Sequence, residues 1–383
     1  MRDAYLILEN GEVFKGWSFG YEGEAVGELV FSTAMTDYLE TLTDPCHYGQ
    51  IVLQTFPLIG NVGIIPGDFA CEIDATGRAV TLNGYIVREW CQEPSNFRSE
   101  GNLDSFLQFN RIPGLCGIDT RALTREIREN GSLNAKISLK PSLSKKEWEI
   151  LQAYKITGAI PSCAARMHGD GEGRHTGTAA ASGIKKQQCV VAVWDFGSSA
   201  KLIRLLTDHG YEPLIFGYGY SAEDILTQNP DGVIMSDGPG DPAENTRIIN
   251  EIKKLCDNNT PIFAVGLSHQ MLALANGARV DKLLFGHRGT NHPVRETETG
   301  RAFVTKQNHG YTVISDTIPE TARISYINAN DGTCEGIEYS AIPAFSVQFH
   351  PPFEIAERMF EKFLKLSCNV EVKERKEQSD AIE

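Results

Sequence analysis

Three short stretches place reactive residue types at the ends of apolar runs. Residues 232–235 lead into Ser236-Asp237-Gly238-Pro239-Gly240-Asp241-Pro242, residues 261–265 into Gly266-Leu267-Ser268-His269-Gln270, and residues 344–349 into His350-Pro351-Pro352. The first is a glycine- and proline-rich turn, the second a sharp strand-to-helix junction, and the third an imidazole at a strand end. In open parallel sheets ligands bind outside the carboxyl ends of the strands, where all three junctions are expected to lie. An imidazole there is suited to moving a proton. An elbow between strand and helix is where hydrolases hold a nucleophile and aim backbone N–H groups at a developing oxyanion. Taken singly, each stretch is commonplace: such a turn is usually only a turn, and such a histidine is usually packed. Ser268 makes Gly-Leu-Ser-His-Gln, but it stands two residues past the elbow and already enters the helix, so its side chain is expected to point elsewhere.

The elements that must position these residues follow from the apolar pattern. Residues 189–196 form a continuous apolar run of the kind a buried parallel strand shows. A helix is expected over 200–209, a strand over 211–216, a helix capped by Ser221, a strand over 232–236, a helix over 244–257, a strand over 261–265 and a helix over 269–276. This alternation predicts a parallel sheet with crossover helices. A last strand over 344–350 and a helix over 355–366 complete it. The first 150 residues read differently, as short strands and turns. Tyr5 to Leu8 followed by Asn10-Gly11 is a hairpin signal. Asp119 opens one amphipathic helix that Asn130-Gly131 stops. The expected division is therefore an N-terminal β-rich α+β domain over 1–150, a linker over 151–188, an α/β domain with a mainly parallel sheet over 189–370, and a charged tail over 371–383.

Composition narrows the partners. The chain has 36 Lys plus Arg against 50 Asp plus Glu, a formal net charge of -14 over 383 residues. That balance argues against nucleic-acid binding. No apolar run is long enough for a membrane span, and the first residues do not read as a signal peptide. Nine scattered cysteines without a C-x-x-C pair are expected to be reduced, in a cytoplasmic protein. His287, His292 and His309 raise the question of a metal, but no carboxylate or cysteine spacing supports one, so none is expected.

Longer motifs carry a resemblance. WDFG at 194–197, SDGPGDP at 236–242, FGHRGTNHP at 285–293, QNHG at 307–310 and QFHP at 348–351 resemble the small subunit of carbamoyl phosphate synthetase, a class I glutamine amidotransferase. GELVFSTAMT at 27–36, LTDP at 42–45, QIV at 50–52, TFPLIGNVG at 55–63 and GIDTRALTR at 117–125 resemble that subunit's own N-terminal domain. The resemblance runs over residues 4–366. It implies hydrolysis of glutamine and delivery of ammonia to a separate large subunit, which makes carbamoyl phosphate for arginine and pyrimidine synthesis. It implies no cofactor in this subunit, with ATP and Mg confined to the large one. It implies glutamine contacts from Gly238, Gly240, Leu267, Gln270, Asn308, Gly310 and Tyr311.

The chain departs from that pattern where the chemistry is done. The family's nucleophilic cysteine falls on Gly266 and its glutamate after His-Pro on Pro352, while the base remains as His350. A serine that helps hold glutamine is Cys46, and the glycine two residues after the nucleophile is Ser268. An amide needs a thiolate to attack it, an imidazole to take the proton and a carboxylate to fix the imidazole. Two of these three are missing. The expectation is a subunit without its own glutaminase activity, with N–H groups near Leu267 and Gly240 remaining as an oxyanion site. The alternatives are a glutamine sensor without a large subunit and an active subunit carrying an engineered change at Gly266.

Overall fold

The Asn10-Gly11 turn closes the hairpin that its sequence predicts: Asp3–Leu8 pairs antiparallel with Val13–Gly20, with Leu6 opposite Phe14. In this computed structural model, residues 2–71, 80–168, 189–197, 200–209 and 211–368 are described. The hairpin is part of a closed barrel whose strand order is Asp3–Leu8, Val13–Gly20, Pro113–Cys116, Gly84–Ile86, Gln50–Gln54, Ala25–Ser32 and Leu133–Ser138. Closure removes every sheet edge. Leu6, Leu29, Ile51, Leu53, Ile86 and Leu115 form one core with no exposed surface. The helix Thr120–Asn130 starts where the Asp119 carboxylate accepts from Arg121 N and Ala122 N, and it ends at Gly131, whose φ is 91°. Its apolar face buries Leu123 and Ile127 against that core.

The second unit is built on a nine-stranded sheet. Five parallel strands come first, in the order Leu214–Gly217, Val191–Asp195, Gly232–Met235, Ile262–Val265 and Ala344–Val347. Their residues are apolar on both faces because helices cover both. Thr246–Asp257 and Leu267–Ala275 pack on one side, and Phe353–Cys368 packs on the other. Four antiparallel strands then extend the sheet: Cys334–Tyr339, Ala302–Val313, Val280–Glu296 and Ala322–Asn328.

The expected parallel sheet is present in the first five strands, and four strands within 280–339 extend it in antiparallel fashion. Two expectations need correction. Part of the expected linker is a helix, Ala159–His168, and its Ile160 is buried in the core of the second unit. Residues 169–188 and the tail 371–383 lie outside the described residues. Cys189 is disulfide-bonded, against the expectation of reduced cysteines throughout; seven others, among them Cys46, are in no disulfide. Sequence spacing does not reveal such a pairing, because the fold brings together cysteines that are distant in the chain.

The two units meet along a polar seam. Lys306 pairs with Glu40, Asn308 Nδ2 donates to Asp44 Oδ2 at 3.0 Å, and Thr33 Oγ1 donates to Asn291 Oδ1 at 2.7 Å. Phe31 stacks on Phe285 beside them, with ring centroids 5.8 Å apart. Among the described residues no helix is long and apolar enough to cross a membrane.

A candidate amidotransferase site without its nucleophile

Gly266 stands at the elbow with φ 60° and ψ -117°, its N–H donating to Val347 O at 2.9 Å. Positive φ is costly for residues with a Cβ, and glycine takes it freely. The helix Leu267–Ala275 starts immediately after it. Ser268, fully buried, turns its hydroxyl away from the cleft to donate to the Ser236 carbonyl, as expected of a residue past the elbow.

A cavity of about 450 Å³ opens beside the elbow at the seam between the two units. Cys46, Gly238, Gly240, Leu267, Gln270, Asn308, Gly310 and Tyr311 all line it. The barrel unit contributes Cys46, the turn after Gly232–Met235 contributes Gly238 and Gly240, and the strand Ala302–Val313 contributes the last three. Gln270 Nε2 donates to Tyr311 O at 2.9 Å and to Gln348 Oε1 at 2.7 Å, tying the elbow helix to the cleft wall.

His350 does not line this cavity. It lines a second one of about 210 Å³, with Asp44, Lys306, Phe263 and Pro351. Asp237 lines both and stands between them. Its Oδ1 accepts from Leu267 N and Gly238 N, each at 2.7 Å, and its Oδ2 lies 3.1 Å from His350 Nε2. A Cβ placed on Gly266 would lie 2.0 Å from Asp237 Cγ. The carboxylate therefore fills the room of a nucleophile side chain and takes up the backbone donors that an oxyanion would need. The donors engaged are those of Leu267 and Gly238, where the sequence pointed to Leu267 and Gly240. Pro352 is exposed, and its carbonyl accepts from Ile355 N and Ala356 N at 2.9 Å as the cap of the last helix.

Cys46 is the thiol at the cleft. Its Sγ donates to Gly238 O at 3.5 Å. Burial, and then the Asp237 and Asp44 carboxylates, push it well above the ordinary thiol range. A group held protonated in this way is no nucleophile at neutral pH. Asp44 behaves oppositely. Burial raises it, but Lys306, His47, His350 and a hydrogen bond from Asn308 outweigh burial and hold its carboxyl far below the usual range. Lys306 is raised in turn, because Asp44 and Glu40 outweigh its desolvation. Asp237, Asp44 and Lys306 are site residues that motif spacing did not single out. Asp237 had a visible signal, an acid directly at a strand end in a glycine-rich turn.

An elbow on the middle of a parallel sheet, a strand-end histidine and a cleft closed by a second domain define a glutamine amidotransferase-type protein. The class-I glutamine amidotransferase family matches residues 192–366, and the carbamoyl-phosphate synthase small chain, CPSase domain, matches residues 6–137. The chain is 43% identical over 368 residues to the carbamoyl phosphate synthase small chain of Clostridium perfringens, covering 94% of this chain and 99% of that protein. It is 40% identical over 381 residues to the small chain of Oceanobacillus iheyensis, covering 98% of each. It is 41% identical over 372 residues to the pyrimidine-specific small chain of Halalkalibacterium halodurans, covering 94% of this chain and 96% of that one. The chain belongs to the carbamoyl-phosphate synthase small chain family.

Proposed function

We propose that this chain is the small subunit of a carbamoyl phosphate synthase that does not hydrolyse glutamine itself, and that its complex with a large subunit draws on free ammonia. The observation that carries this reading is the Asp237 carboxylate in the nucleophile's room, hydrogen-bonded to Leu267 N and Gly238 N. Three conditions for amide cleavage fail together. Gly266 offers no thiol, and the thiol lining the cleft, Cys46, is held protonated. The N–H donors already serve an anion. His350 faces a carboxylate that leaves no space for an acyl intermediate between them. In triad enzymes loss of the nucleophile alone costs about 10⁶ in turnover.

The partner reading rests on family membership and on the intact barrel unit, which carries no catalytic group of its own. Use of the product in pyrimidine or arginine synthesis extends to this chain from the same membership. The test is a complex reconstituted with the large subunit encoded by the same organism and supplied with ATP and bicarbonate. It should make carbamoyl phosphate from ammonium chloride and not from glutamine. Synthesis from glutamine at a rate comparable to that from ammonium overturns the reading.

The cleft favours one other reading, a glutamine sensor that acts alone, because all eight expected contact residues still line it. Gel filtration with and without the large subunit separates the two.

A further inference from the structure

His287 and His309 lie directly opposite each other on neighbouring antiparallel strands. Glu335, on Cys334–Tyr339, has no exposed surface and reaches the same point. Each histidine has one ring nitrogen engaged by a strong acceptor. His287 Nε2 lies 2.8 Å from Asp331 Oδ2, and His309 Nδ1 lies 2.8 Å from Tyr311 O. With both rings neutral, donation there leaves His287 Nδ1 and His309 Nε2 as lone pairs. Both lone pairs face Glu335 Oε1, at 3.5 and 3.9 Å. Gln307 Oε1 comes within 3.3 Å of His309 Nε2.

This is a convergence of acceptors with too few donors. Asn328 Nδ2 lies 3.1 Å from Glu335 Oε1, 3.4 Å from His287 Nδ1 and 3.5 Å from Gln307 Oε1, and its orientation is fixed because its own Oδ1 accepts from Asn330 N. Two amide protons do not satisfy that many acceptors, and Glu335 Oε2 is buried with no hydrogen-bond partner among the described residues. A cation relieves such a deficit. The spacing also fits one. Ligand atoms about 2.1 Å from a tetrahedral zinc ion stand about 3.4 Å apart. The engagement of each imidazole's far nitrogen by a carboxylate or a backbone carbonyl is what orients metal-binding histidines elsewhere.

We propose that His287, His309 and Glu335 hold a divalent transition cation of the zinc class, with Asp331 and the Tyr311 carbonyl orienting the two imidazoles. The ion ties three antiparallel strands together directly behind the cleft wall that Asn308, Gly310 and Tyr311 form. Its role there is structural: His287 and Glu335 are buried behind the cleft, and only His309 also lines it. The site is independent of whether glutamine is hydrolysed.

The test uses the full chain without a polyhistidine tag, loaded separately with Zn²⁺ and with Co²⁺ and dialysed free of excess metal. Wild type is expected to retain about one metal per chain, and the Co²⁺ form to show visible absorption bands of a tetrahedral site. Glu335→Gln and His309→Ala should lose retention while keeping the far-ultraviolet circular dichroism of wild type, and Asp331→Asn should bind about 10- to 100-fold more weakly. A chelator should lower the melting temperature of wild type but not that of Glu335→Gln. Failure of folded wild type to retain either metal, or equal retention by Glu335→Gln, overturns the proposal and leaves a proton on His287 as the cation of the cluster.

Discussion

Asp237 faces His350 across the point where a thiolate would have to stand, and this one side chain links the sequence departures to a physical consequence. A change of Gly266→Cys alone should fail for two reasons. The new Cβ meets the Asp237 carboxyl, and the backbone has φ 60°. Strain of that kind costs about 1–3 kcal/mol. Urea unfolding of Gly266→Cys should show a loss in that range or above it, with no gain of glutaminase. Adding Asp237→Ala should recover part of the stability by removing the clash. The same carboxylate should weaken glutamine binding, so Asp237→Ala should bind glutamine more tightly than wild type in calorimetry; equal or weaker binding would mean that Asp237 does not obstruct the amide. Cys46 gives a further check. Its alkylation by iodoacetamide, followed by mass spectrometry, should be slow at pH 7 and still rising above pH 9, since the thiolate is disfavoured by burial and two carboxylates. Rapid labelling at pH 7 would place a reactive thiolate at the cleft. Gly266 and Pro352, where the resemblance implies cysteine and glutamate, were legible in the sequence, because one stands at a strand-to-helix junction and the other directly after QFHP. The filling of the vacated space was not. It depends on a rotamer of Asp237, 29 residues earlier in the chain, meeting the elbow in three dimensions.

The elbow helix Leu267–Ala275 shows what periodicity does and does not reveal. Every residue from Leu267 to Ala273 is buried, including His269 and Gln270. A helix buried all round has no polar stripe, and its start was placed two residues late, at 269. Within it, burial holds His269 down at about 3, with Nδ1 against Ser346 Oγ at 2.8 Å. The sign follows directly. The native chain keeps this imidazole neutral and the unfolded chain protonates it near the ordinary 6.5, so its contribution is complete above about pH 6.5 and is lost as pH falls towards 3. By pH 5 the loss is about 2 kcal/mol. Denaturant unfolding at pH 7 and pH 5 should show this fall in wild type and a shallower one in His269→Gln. Identical pH dependence in the two proteins would show that His269 is not held neutral. The parallel strands were legible because each is a short apolar run covered on both faces. The antiparallel extension was not, since 280–296 mixes Gly, His, Arg and Asn with few apolar residues and shows no clean alternation. The helix Ala159–His168 was hidden because it lies against a glycine-rich stretch that reads as linker.

At the scale of the whole molecule, the cleft exists only because two units meet. Asp44 and Glu40 from the barrel unit engage Asn308 and Lys306 from the other, and Cys46 completes the pocket wall. These pairs join residues more than 260 positions apart. Of these residues the family motifs placed only Asn308 and Cys46 at the site, and no local pattern placed any of them. Membership of the carbamoyl-phosphate synthase small chain family rests on similarity along the chain. The central claim is the proposal that this chain does not hydrolyse glutamine. Glutamine-dependent ammonia release, measured on the chain alone and on its complex with the large subunit, tests it most directly. Release is expected to be no faster than the spontaneous background in both and unchanged by His350→Ala. Release well above background from the wild-type chain, abolished by His350→Ala, would contradict it and show that another nucleophile serves this site.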